Sequence, residues 1–268
     1  LNWIFSRNSM RFMFAVDPAS HLGRLDYASL SQQALMEMVV DGIENREILC
    51  GSKESPKDIA EWIGVKFTET DTVTEIEWGL YSLQGSISLE WLPHTVKLLN
   101  IGGNDLVGSL DFACLPPNIE VFDACLNAFT GEVSLKSLPL RMQVVDVKSN
   151  KLIGTLDLEH LPATLTTLLV SANRFEGTIS LRKLPSGMDG LSVRQNRLHG
   201  RIDITNLPDG MRSLVLAVNS FSGETDFTQL PDSLKFLDLR HTSLSGSLVC
   251  SEGKMFLARY SNIQVKMM

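Results

Sequence analysis

One interval, 23 residues, governs this chain. In the stretch LTTLLVSANRFEGTISLRKLP (residues 165–185), Asn173 has counterparts at Asn104, Asn127, Asn150, Asn196 and Asn219. Gly177 returns at Gly85, Gly108, Gly131, Gly154, Gly200, Gly223 and Gly246. The Leu184-Pro185 pair returns at Leu92, Leu115, Leu138, Leu161, Leu207 and Leu230, each followed by proline. None of the three series slips. A fixed period between about 20 and 50 residues marks stacked supersecondary units, so it decides the architecture before local propensity is consulted.

From residue 73 this register defines eight units: 73–95, 96–118, 119–141, 142–164, 165–187, 188–210, 211–233 and 234–256. Counted from the asparagine, apolar residues recur at −8, −5, −3, +2, +6, +8 and +11. In the fifth unit these are Leu165, Leu168, Val170, Phe175, Ile179, Leu181 and Leu184. Positions −5 and −3 share one face of a short strand, because strand side chains alternate. The asparagine brings donors and an acceptor to a turning chain, and is expected to satisfy main-chain groups of its own coil and the next. Glycine four residues later admits a conformation closed to other residues. Proline ends the outer segment with a fixed φ and no donor to satisfy. Stacked at strand spacing, eight strands make a parallel sheet about 34 Å long. The ends deviate as caps should. Tyr81 and Thr242 replace the asparagine in the first and last units, and Gly253-Lys254 replaces the final Leu-Pro. LARYSNIQV (residues 257–265) reads as a degraded ninth strand that covers the last open edge.

The composition, 44% hydrophobic and 21% charged, is that of a globular chain. A net charge of −7 argues against general binding to nucleic acid or acidic membranes. No run of about 18 apolar residues offers a membrane span. Cys50, Cys114, Cys125 and Cys250 form no CxxC and no close pair, so neither a zinc site nor a disulfide is expected. With no N-x-Ser/Thr sequon in the sequence, this leans toward a reducing, cytoplasmic compartment. The opening LNWIFSRNSMRFMFAV is apolar but carries Arg7 and Arg11, unlike a secretory core. Residues 29–41 read as a helix stopped by Gly42, and residues 51–55 as a break. A second, shorter helix is expected from Ser55, with Pro56 at its first position and Asp58 at its positive end.

The phrase LxxLxLxxN runs through the units, and residues 58–256 are similar to leucine-rich-repeat proteins. The short unit ending in Leu-Pro most resembles those of trypanosomatid protozoa. Residues 58–78, DIAEWIGVKFTETDTVTEIEW, resemble the N-terminal cap of the plant-receptor type. Trp62, Gly64 and Val65 match that cap, while Ala60 and Phe67 stand where it has cysteines. The resemblance implies an α/β leucine-rich-repeat solenoid, with a curved parallel sheet on the concave face and short or irregular convex segments. Its helical cap would be held by packing instead of a disulfide. The implied parts are an N-terminal segment and cap (1–72), eight repeats (73–256) and a capping strand or tail (257–268).

Function is expected where the repeat leaves residues free. Positions −6, −4 and −2 point away from the core on the concave strands. Lys148, Lys151, Arg174, Arg194, Arg197 and Arg240 form a basic band along units four to eight. Leu98, Val121 and Val144 make a neighbouring apolar patch, the kind of surface that marks a contact site. Asp123 and Asp146 are lateral neighbours that need a counter-charge, which Lys148 can supply. Phe236 and Asp238 continue these columns in the last unit. Charge is uneven along the array. Residues 73–141 carry three Lys/Arg against eight Asp/Glu, and residues 142–212 carry nine against seven. The five histidines share no ligand spacing, and no nucleophile elbow, P-loop or HExxH occurs. No catalytic residue, metal or cofactor is therefore expected.

Three functions fit these residues, in this order. The first is a non-enzymatic intracellular scaffold that binds a protein partner on the concave face. The second is the ligand-recognition domain of a secreted or cell-surface protein. The third is a structural subunit of a large assembly, in which the basic band touches RNA phosphate.

Overall fold

The computed structural model describes residues 27–267; residues 1–26, with Arg7, Arg11 and His21, lie outside it. Each coil begins with a short strand whose middle residue points inward. Leu99, Phe122, Val145, Leu168, Leu191, Leu214 and Leu237 occupy that place and are at most 1% exposed. Strands Val73–Glu77, Leu98–Asn100, Val121–Asp123, Val144–Asp146, Thr167–Leu169, Gly190–Ser192, Ser213–Val215, Phe236–Asp238 and Met255–Leu257 pair in chain order, all parallel. Strand Val65–Phe67 adds an antiparallel edge at the N-terminal end, giving ten strands. The molecule is thus a leucine-rich-repeat-type solenoid with its parallel sheet on the concave side.

A second sheet runs alongside the first, where short or irregular segments were expected. Its strands include Asp105–Val107, Lys151–Ile153, Arg197–Gly200, Ser220–Glu224, Ser243–Cys250 and Asn262–Met267. Single bridges Ser109–Thr130 and Thr155–Glu176 join its pieces. The outer turns of the first three coils are short 3-10 segments, as at Phe112–Cys114, and those of the later coils are simple turns. Asp111 caps that turn by accepting from Ala113 N at 2.9 Å. Asp157, Asp203 and Asp226, at the same position of later coils, accept equivalent bonds from Glu159, Thr205 and Thr228.

The asparagine ladder holds the coils together, but in the opposite direction from that expected. Asn173 Nδ2 donates to Val147 O of the preceding coil at 2.9 Å and to Val170 O of its own at 3.3 Å. Its Oδ1 accepts from Leu152 N, again of the preceding coil, at 3.0 Å. Asn150 and Asn219 repeat the pattern. The reason is that the main chain already serves the following coil: Asn150 N donates forward to Ala172 O. The side chain is left to reach back. The residue before each asparagine takes a left-handed φ, as at Leu126, Ser149, Ala172 and Val218.

The N-terminal cap has one of its two expected helices. Gln32–Val40 is helical, N-capped by Ser31, and buries Leu35, Met36, Val39 and Val40. The helix expected from Ser55 does not form. A 3-10 turn, Ile59–Glu61, stands there, N-capped by Asp58. A helix would need Lys57 O as an acceptor, and that oxygen instead receives Trp62 Nε1 at 2.8 Å and Gln33 Nε2 at 3.1 Å. An unexpected short helix, Glu47–Cys50, precedes it. At the other end the tail pairs with the strands of the eighth unit, Phe236–Asp238 and Ser243–Cys250. It supplies the outermost strand of each sheet, Met255–Leu257 and Asn262–Met267. Without the final Leu-Pro the loop is shorter, so the last concave strand begins at Met255, ahead of the expected 257.

One core position breaks the pattern. Where other coils place Leu110, Val133, Leu156, Ile179, Ile202 or Leu248, the seventh has Thr225, which is 4% exposed. Its Oγ1 finds no hydrogen-bond partner among the described residues. Leaving a hydroxyl unbonded in an apolar interior costs free energy, so Thr225→Val is expected to stabilise the fold by about 1 kcal/mol. The urea midpoint measures this; a lower midpoint would mean that the hydroxyl is bonded after all.

Candidate functional site

The concave strands present three outward columns. In the first, Leu98, Val121 and Val144 stand side by side in register and are half-buried. The cap leaves this patch uncovered by its described residues. It packs instead on the outer turn Leu89–Trp91, and Tyr27 Oη donates to Leu92 O at 2.7 Å. Further along, Thr167, Gly190 and Ser213 make a low floor. Phe236 and Met255, the latter 57% exposed, raise the column again at the C-terminal end.

The second and third columns carry the charges, and most are paired within the molecule. Asp146, 6% exposed, accepts from Lys148 N at 3.0 Å and forms an ion pair with Lys148 Nζ at 2.5 Å. Asp238, 1% exposed, accepts from Arg240 Nε at 2.9 Å and Nη2 at 2.8 Å. Arg194 reaches the same carboxylate from two coils away, at 3.4 Å. Burial alone would raise the pKa of Asp238, but the Arg240 bonds and both positive charges outweigh it and hold the group below its ordinary value. Lys148, Arg194 and Arg240 are therefore already committed to carboxylates.

Asp123, Cys125 and Asp146 bring their ligand-type atoms within 4.8 Å of one another. Burial, reinforced by the hydrogen bond to Asp123 and by both carboxylates, pushes the Cys125 thiol up to about 12. The thiol keeps its proton at neutral pH, and Lys148 already neutralises Asp146. On this geometry the trio is a largely buried polar cluster in which Cys125 N donates to Asp123.

The rest of the basic band lies elsewhere. Lys151 and Arg197 open strands of the second sheet, and Arg174 holds the same place in the coil between them. All three are exposed and join none of the ion pairs among the described residues. The band thus divides into a neutralised inner part and a free outer ridge. The Arg194–Asp238 contact across two coils had no sequence signal, because neither residue belongs to the repeat. The second sheet, in which exposed and buried residues alternate around Leu106, Leu152 and Leu198, was not foreseen from the sequence.

No family model matches the chain, and no match was found among curated proteins. Solved structures do match. A pollen receptor kinase 3 is 24% identical, with a TM-score of 0.56 over 71% of this chain and 96% of that one. A plant ice-binding protein is 20% identical, with a TM-score of 0.58 over 88% of this chain and 86% of that one. The plant peptide hormone receptor RGFR1, in complex with RGF2, is 21% identical, with a TM-score of 0.52 over 72% of this chain. This chain spans only 40% of that receptor structure. At these identities the matches establish the solenoid fold. No helix among the described residues is long and apolar enough to cross a membrane.

Proposed function

We propose that the chain is a non-enzymatic recognition module that binds a protein or peptide partner on its concave face. The observation that carries this reading is the half-buried apolar row Leu98–Val121–Val144, set in register on a rigid sheet and left uncovered by the described part of the cap. Phe236 and Arg240 border the same face at its far end. The charged pairs between them fix side-chain positions in advance, which reduces the ordering cost of binding. Matches to receptor structures, one of them solved with a peptide hormone partner, support a recognition role. The test is photo-crosslinking in cells, with a benzophenone residue at Ser213 on the concave strand or Ser186 on the outer turn. Partner adducts are expected at Ser213 and absent at Ser186; the reverse pattern rules out the concave face.

The compartment divides this proposal. The resemblance to plant receptor structures favours a secreted or cell-surface domain. Four cysteines that are all unpaired favour the cytoplasm. Thiol labelling of the protein in intact and lysed cells separates the two. The trypanosomatid affinity of the Leu-Pro-ending unit belongs to the same proposal.

A further inference from the structure

The outer ridge deepens the recognition reading, on which it rests. We infer that Lys151, Arg174 and Arg197 form a ladder that docks an extended acidic segment of the partner, with carboxylates on alternate residues. The three cations occupy one column in consecutive coils and are exposed. Unlike Lys148 and Arg240, they join none of the ion pairs among the described residues, although Glu176 stands beside Arg197. Unpaired positive charge beside a rigid contact surface attracts a partner of opposite sign.

The spacing narrows the choice. In the second sheet Arg197 pairs laterally with Glu176, and Glu176 with Thr155. Each cation is therefore displaced by two residues from the cation of the neighbouring coil. Such diagonal neighbours lie about 7–8 Å apart. An extended chain presents same-side residues about every 7 Å. A segment crossing the coils can thus set carboxylates i, i+2 and i+4 against the three cations, with its spacer side chains turned away. Ile153, 42% exposed on the same outward face, offers the segment an apolar contact. A uniform polyanion such as RNA fits less well. It would meet Glu176 beside Arg197 and Glu132 beside Ile153.

The test uses two labelled peptides of equal composition at low ionic strength, one with three glutamates on alternate serine-spaced positions and one with the glutamates contiguous. Fluorescence anisotropy is expected to show the alternating peptide binding about tenfold more tightly. Lys151→Glu/Arg174→Glu/Arg197→Glu should abolish that preference. Lys97→Glu/Arg141→Glu/Lys235→Glu, which changes the net charge equally at exposed sites, should preserve it. Equal affinity for the two peptides, binding of neither, or equal loss in both triple variants overturns the ladder. Tighter binding of a short oligothymidine would replace it with a nucleic-acid site. Should Ser213 still crosslink a partner while the peptides fail to discriminate, the ladder falls and the concave-face reading stands.

Discussion

Asn173→Ala is expected to destabilise the protein by about 2–4 kcal/mol, one of the two largest costs the structure predicts. The alanine removes one acceptor and two donors from a site that is 9% exposed. Leu152 N loses its Oδ1 partner, while Val147 O and Val170 O keep the Nδ2 groups of Asn150 and Asn196. Water cannot readily reach Leu152 N at the buried corner, so that orphaned donor carries a desolvation penalty of about 1–3 kcal/mol, to which the lost Nδ2 bonds add with incomplete additivity. The internal control is Thr242, which occupies the same place in the last full coil. Its Oγ1 bonds only Leu239 O, within its own coil. Thr242→Ala should therefore cost about 1 kcal/mol. Urea unfolding of the two variants measures the difference. Equal costs would mean that the ladder does not couple one coil to the coil before it.

That contrast also marks how far the sequence could be read. The period located the asparagines and the inward residues of the concave strands in the eight repeats, because both face constraints that recur in each coil. It could not give the ladder its direction. Direction depends on which main-chain groups the forward bond from Asn150 N to Ala172 O has already used. The cap was less legible because it does not repeat. Pro56 and Asp58 signal a helix start, yet Lys57 O is taken by Trp62 and Gln33, tertiary partners that local reasoning cannot see. The candidate surface was legible as columns but not as charges. Lys148 and Arg174 look equivalent in the sequence. The strand alternation that turns Lys148 over its own Asp146 leaves Arg174 at the outer corner, where it joins none of the ion pairs among the described residues.

Gly85→Ala is the second substitution of large expected effect, because at this glycine the repeat meets the cap. Every coil has a glycine here with positive φ, +85° at Gly131 and +91° at Gly85. The surroundings differ. A Cβ on Gly131 would find Ser109 Cβ at 3.6 Å, an ordinary contact. A Cβ on Gly85 would overlap the carbonyl oxygen of Gly42, a main-chain atom that cannot rotate away. That carbonyl accepts from Ser86 N at 2.8 Å, and Glu44 N donates to Gln84 O at 2.8 Å, so the two backbones are joined directly. Gly131→Ala should cost about 1–2 kcal/mol, the price of a left-handed L-residue. Gly85→Ala adds to this the separation of the cap from the first coil, and is expected to exceed about 4 kcal/mol. Solenoid ends need a cap to keep their core from water, and here the cap buries Met36, Val39 and Val40. Hydrogen exchange should therefore accelerate across residues 32–50 in Gly85→Ala and stay unchanged there in Gly131→Ala. If both variants lose equal stability and protect the cap alike, backbone conformation alone selects glycine at this position, and the close approach of Gly42 contributes nothing.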